Sequence, residues 1–142
     1  MSYTGLTKNA FVELFTGLVV GRDFKIALYT EELDATTSTI YDTTNEFVGA
    51  NYPAGGVPIA LAATPIVQNA EGVFVHFSNV TIADMTTGAT PIKGFAIYDV
   101  TDDGVNPVSN KIRVAGRFKT PLASTNGTFS TSITYKMAGV NL

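Results

Sequence analysis

The sequence contains no cysteine, no tryptophan and a single histidine among its 142 residues. The first absence excludes disulfide staples, cysteine-ligated zinc and thiol nucleophiles, and leaves the redox compartment open. Charge is sparse too: 15% of residues are Asp, Glu, Lys or Arg, against about 25% in an average globular domain. Too apolar for a disordered tail, the chain is also too weakly charged for a long solvated helix. A net charge of −3 and a pI near 4.9 argue against a broad phosphate-binding surface, so no nucleic-acid partner is expected. The least polar long stretch, Val57 to Val67, is interrupted by Pro58 and Pro65 and falls short of the ~20 residues that span a bilayer. The first eight residues lack the basic and apolar regions of a signal peptide. The expectation is a soluble protein made in the cytosol, with no membrane partner and no cofactor.

What is present is a strand-forming alphabet. Hydrophobic residues make up 45% of a chain long enough to bury a real core as one domain, 1–142. Between Thr7 and Val19, Ala10, Phe11, Leu14, Phe15 and Leu18 form one stripe of a 3.6-residue period. This predicts an amphipathic helix over about 7–19, capped by Thr7 or Asn9 and ended by Gly17 or Gly21. From residue 23 onward the pattern reads as β, rich in Val, Ile, Phe, Tyr and about 20 threonines. Asp23–Thr30 alternates, with Phe24, Ile26 and Leu28 on one face and Lys25, Ala27 and Tyr29 on the other. Further strands are expected at Glu46–Ala50, Val57–Ala63, Gly72–Phe77, Val80–Ala83, Lys93–Val100, Lys111–Phe118 and Gly127–Tyr135. Gly-rich turns separate them, among them Pro53-Ala54-Gly55-Gly56, where Gly55 or Gly56 needs positive φ, and Asn69-Ala70-Glu71-Gly72. The fold class is mainly β: an antiparallel sandwich or barrel with one N-terminal amphipathic helix. The threonine-rich run Asp34 to Thr44 reads as an ordinary exposed loop, or as a contact arm.

Catalytic patterns are scarce. His76 lies in the apolar run Gly72–Phe77 and reads as structural; no Gly-x-Ser-x-Gly elbow exists to present a nucleophile. Asp99, Asp102 and Asp103 near Gly104 lack the spaced oxygens and closing glutamate of a calcium loop, and read as a hairpin turn. Glu31, Glu32 and Asp34 could pair carboxylates for hydrolysis, but more simply solvate a loop. Gly49–Gly56 lacks the Gly-Lys-Ser/Thr ending of a phosphate loop and precedes a strand. The sequon matches at Asn79 and Asn126 carry little weight without a secretion signal. Lys111, Arg113, Arg117 and Lys119 share one parity of one strand. They read as a solvated outer face, with Ile112, Val114, Gly116 and Phe118 inward, or as a docking stripe for an acidic protein. Tyr41 beside Asp42, and Tyr52 beside Asn51, are the aromatic–polar pairs a sugar-binding surface would use. The expectation is no enzyme, no metal and these six contact candidates.

The order of features resembles a family of small structural proteins of tailed bacteriophages. The resemblance rests on the helix, the strand Phe24–Thr30, and the turn Gly49-Ala50-Asn51-Tyr52-Pro53-Ala54-Gly55-Gly56. It continues with Gly94-Phe95-Ala96-Ile97-Tyr98-Asp99, Gly127-Thr128-Phe129-Ser130 and the end Gly139-Val140-Asn141-Leu142, nearly the whole chain. Asn51 stands where the family often has a second glycine, and the middle strands lack tryptophan. The resemblance implies a virion component, a decoration protein on the head lattice or a tail or neck component. Its partners would be the major capsid protein or other virion proteins, with the chain a homo-oligomer. A carbohydrate-binding β-sandwich for host attachment is the alternative from another class.

Overall fold

The computed structural model describes residues 13, 16–17, 20–34, 36–70, 72–87, 90–101, 110–123, 127–131 and 134–138. The helix expected over 7–19 lies outside the described residues, apart from Glu13, Thr16 and Gly17. At its border the Val20 amide donates to the Thr16 carbonyl at 2.9 Å, and Gly21 follows with φ 75°. The described elements are nine antiparallel strands: β1 (Phe24–Tyr29), β2 (Val57–Ile59), β3 (Leu61–Asn69), β4 (Gly72–Phe77), β5 (Val80–Met85), β6 (Ile92–Asp99), β7 (Ile112–Leu122), β8 (Gly127–Thr131) and β9 (Thr134–Ala138).

Two compact units share the chain. One holds residues 1–22, 60–78 and 132–142, and the other 23–59 and 79–131, so the chain crosses between them after residues 22, 59, 78 and 131. The first unit contains the sheet β3-β4-β9, in which β4 buries Val75 and Phe77. The β3–β4 hairpin closes at Asn69↔Gly72, the expected turn, and Pro65 falls in the irregular stretch between Leu61 and Ile66, where the ladder tolerates a missing amide. The second unit contains the sheet β2-β1-β6-β7 and the ribbon β5-β8. Pro58 sits on β2, an edge strand, for the same reason.

The central strands β1 and β6 are covered on both faces. Phe24, Ile26, Leu28 and Ile97 fill one side. On the other, Ala27, Tyr29, Ala96 and Tyr98 form a buried cluster with Leu33, Tyr41, Val100 and Ile112 packed on it. The alternation in β1 is as expected, yet its second face meets a loop instead of water. Small residues permit this: a methyl on Gly94 would overlap the Glu31 carbonyl oxygen, so the chain after β1 crosses directly over β6.

Three expected strands change. Glu46–Ala50 is not a strand; Glu46 makes an isolated bridge to Tyr29 and the chain then turns away. Val57–Ala63 breaks at Ala60 into β2 and the start of β3, which belong to different units. Gly127–Tyr135 likewise divides into β8 and β9, pairing with β5 and β4 respectively. The Asp34–Thr44 run is irregular, held by an Asp34 turn and by one bridge, Ile40↔Lys111.

Candidate functional site

Among the described residues of the second unit, a polar network surrounds Glu46, a residue expected at the start of a strand. Backbone pairing explains its position. β2 pairs with β1 only through Phe24, Lys25 and Ile26. Beyond that point residues 45–47 take over the edge: Phe47 N donates to Leu28 O at 2.8 Å, and Thr30 N to Asn45 O at 2.9 Å. Opposite Tyr29, Glu46 therefore shares its face with the tyrosine cluster.

Glu46 is 9% exposed, and its carboxylate accepts three hydrogen bonds. Tyr41 OH donates to Oε2 at 2.6 Å, while Tyr52 OH and the Gly55 amide donate to Oε1 at 2.7 and 2.8 Å. These lengths are those of charge-assisted bonds. The Tyr52 hydroxyl also accepts from Leu28 N at 3.0 Å, replacing the strand partner that β2 no longer supplies. Tyr98 OH donates to the Gly55 carbonyl, and its ring stacks on Tyr41 with centroids 4.4 Å apart and planes within 10°. Burial holds the phenols of Tyr29, Tyr41, Tyr52 and Tyr98 protonated well above tyrosine's ordinary range, and the neighbouring Glu46 charge pushes the same way. Chemically this is a clamp: phenol hydroxyls and one amide satisfy the carboxylate's oxygens, and together they tie the 46–56 loop to β1 and β6.

The turn that carried the family resemblance acquires physical reasons here. Gly55 and Gly56 have φ 90° and 87°, and Gly56 N donates to Pro53 O at 2.9 Å. Gly55 thus occupies the turn position that requires positive φ. A methyl on Gly56 would overlap the Ile26 carbonyl oxygen. Asn51 has φ 66°, and its Nδ2 donates to Asp84 O at 2.9 Å. Asparagine is among the few residues other than glycine that accept this conformation. Just after Phe47, which packs edge-on against Tyr52, Val48 is 91% exposed.

The six contact candidates are not brought together. Tyr52 is 7% exposed and serves as an internal strut, so it presents no ring to a partner. Tyr41 is half-buried in its stack. The shared parity expected for the basic residues is interrupted: Tyr98↔Ile112 is followed by Ile97↔Val114, a bulge that leaves Arg113 extra. Lys111 lies before β7, bridged to Ile40. Arg117 and Lys119 are exposed, and Arg117 meets Glu32 at 3.4 Å. Arg113 is half-buried and its Nε, shielded from solvent, has no hydrogen-bond partner.

The remaining groups have local roles. Asp34 accepts from the Thr36 amide and hydroxyl at 2.8 and 2.6 Å, which holds its carboxyl below the usual range. Asp99 is fully buried and accepts from Thr101 N at 2.9 Å, while Asp102 and Asp103 lie outside the described residues. His76 is half-buried on β4 opposite Thr134. Among the described residues no three His, Asp or Glu side chains gather as a metal site would require. A cleft of about 260 Å³ opens beside the clamp, bordered by Tyr29, Leu33, Thr39, Ile40, Asp42 and Asn45 among others. Comparison with protein-family models, curated proteins and solved structures returns no match, so the reading of this site rests on its own geometry.

Proposed function

We propose that the chain is a non-enzymatic structural component of a bacteriophage virion, a decoration protein that binds the assembled head as a homo-oligomer. One observation carries the binding part of this reading. A buried carboxylate, three donors and two positive-φ glycines fix a loop from which Val48 projects at 91% exposure. A rigid loop loses little entropy when it docks, so an apolar tip held this way suits a contact surface. Many identical copies on a lattice bind strongly in sum from modest single contacts. The phage assignment rests on the ordered resemblance, whose turn residues are the ones this loop uses. With it goes the expected architecture, an antiparallel sandwich or barrel preceded by the 7–19 helix. The major capsid protein is the partner, and neither nucleic acid nor membrane is required.

The test is the copy number of the protein in purified particles, by quantitative mass spectrometry against the major capsid protein. A ratio near that of the capsid protein supports decoration. One or two rings per particle moves the protein to the tail or neck, and absence overturns the virion reading. Val48→Asp should lower incorporation without changing the fold of the free protein.

The cleft favours a second reading, carbohydrate binding. It sets the half-exposed Ile40 beside the Asp42 carboxylate and the Asn45 and Thr39 side chains, a mixture that matches the apolar face and hydroxyls of a sugar ring. Specific signals on a glycan array, lost in Asp42→Ala, would support it over the first.

A further inference from the structure

Two clusters of exposed charge, one of each sign, meet at a single groove of the second unit. The chain leaving β1 crosses β6 where Gly94 admits the Glu31 carbonyl, and there it carries Glu31, Glu32 and Asp34, all exposed. Beside it β7 presents Arg117 and, two residues on, Lys119, both exposed as well. The groove, about 470 Å³, is lined by Leu33, Ala115 and Gly116 together with Glu32, Asp34 and Arg117. Thr36 donates twice to Asp34 Oδ1, which keeps that carboxylate in its charged form. Arg117 reaches Glu32 at 3.4 Å, between side chains 70% and 57% exposed. An ion pair this exposed is worth little and is readily exchanged for another.

Backbone pairing is the wrong way to occupy this face. The register of β7 on β6 shifts at Arg113 and again between Arg117 and Leu122, and such irregularities blunt an edge against added strands. A partner therefore meets the groove through side chains. A uniformly acidic one would be repelled by Glu32 and Asp34, and a uniformly basic one by Arg117. The face suits a partner that carries both signs in adjoining clusters, and the chain itself has that pattern. A two-fold contact sets residue i against j and j against i, so a surface divided into an acidic and a basic half is complementary to its own copy. We infer that a second copy docks on this groove about a two-fold axis, with Arg117 and Lys119 of each copy facing Glu31, Glu32 and Asp34 of the other. Arg117 exchanges its own Glu32 for that of the second copy, and its apolar stem lies along Leu33 and Ala115. The contact rests on the homo-oligomer part of the proposed function and gives it a surface.

The test is sedimentation velocity of the full-length protein at low salt and at about 1 M salt, where the screening length falls to about 3 Å. The unaltered chain should dimerise at low salt, and the dimer should weaken at least about tenfold at high salt. Arg117→Glu and Glu32→Arg should each leave a monomer with an unchanged circular dichroism spectrum, because each sets like charges across the axis. Mixed in equal amounts, the two variants should dimerise again, since one then offers only acid and the other only base at the facing positions. Mixing rescues neither a misfolded chain nor an ion pair that forms only within one copy, so a mixture that stays monomeric overturns the proposal. A chain monomeric at every concentration, a dimer indifferent to salt, or a dimer that Val48→Asp abolishes overturns it too. Each of those results leaves the copy number in purified particles, and with it the virion reading, to be decided separately.

Discussion

At Glu46 a change of one atom type should be felt throughout the loop. Glu46→Gln keeps one oxygen for the Tyr52 hydroxyl and Gly55 amide but turns an NH2 toward the Tyr41 hydroxyl, or the reverse. With a buried donor unmatched, the expected loss is about 1–3 kcal/mol in urea unfolding. Asn51→Val should lose about 1–2 kcal/mol for placing a β-branched residue at φ 66°, and about 1 kcal/mol for the bond to Asp84. Asn51→Gly, by contrast, should lose little beyond that bond. Neither role was legible beforehand. Glu46 sits in a Glu-Phe-Val-Gly-Ala run whose apolar residues read as strand, and only the spatial neighbours Tyr41 and Tyr52 show that its charge faces inward. Tyr52 was expected at a contact surface but is buried, because a phenol in a sequence says nothing about which way its ring points.

For the elements, the contrast between two glycines is the sharper test. Gly56→Ala should destabilise by about 1–3 kcal/mol, since the methyl collides with β1 backbone and the φ is 87°. Gly116→Ala should be neutral or stabilise by about 0.4–1 kcal/mol. Thermal melts of the two variants side by side would check both. Strands whose apolar pattern is local were readable from sequence: β4 has the expected bounds, and β1 and β6 differ by a residue at each end. Breaks that depend on distant partners were not. Ala60 lies inside the short apolar run 59–63, yet there the chain leaves one unit for the other. The bulge at Arg113 defeated the parity argument for the basic stripe for the same reason, because register belongs to a pair of strands and not to either alone.

For the whole molecule, the tyrosines make stability depend on alkali. Tyr29, Tyr41, Tyr52 and Tyr98 hold their protons above the ordinary value of 10.0, chiefly through burial. The stability linked to them is intact below the unfolded value and falls as pH rises above it, because the unfolded chain releases those protons first. Urea midpoints should therefore be flat from about pH 7 to about pH 9 and decline steeply beyond about pH 10. Tyr52→Phe should lower the plateau, through the lost bond to Glu46, and soften the decline. A midpoint indifferent to alkali would mean the phenols are not buried as described.

The interleaving of the two units also sets an order of events during synthesis. β4 waits for β9 and β5 waits for β8, across gaps of about two-fifths and three-tenths of the chain. Neither unit has its full set of strands until residues 127–138 are made, although the sheet β2-β1-β6-β7 needs nothing beyond Leu122. Sheets built from such distant pairings fold on about the milliseconds-to-seconds scale. Chains truncated before residue 127 should be cut by protease first around β4 and β5, the strands left without β9 and β8.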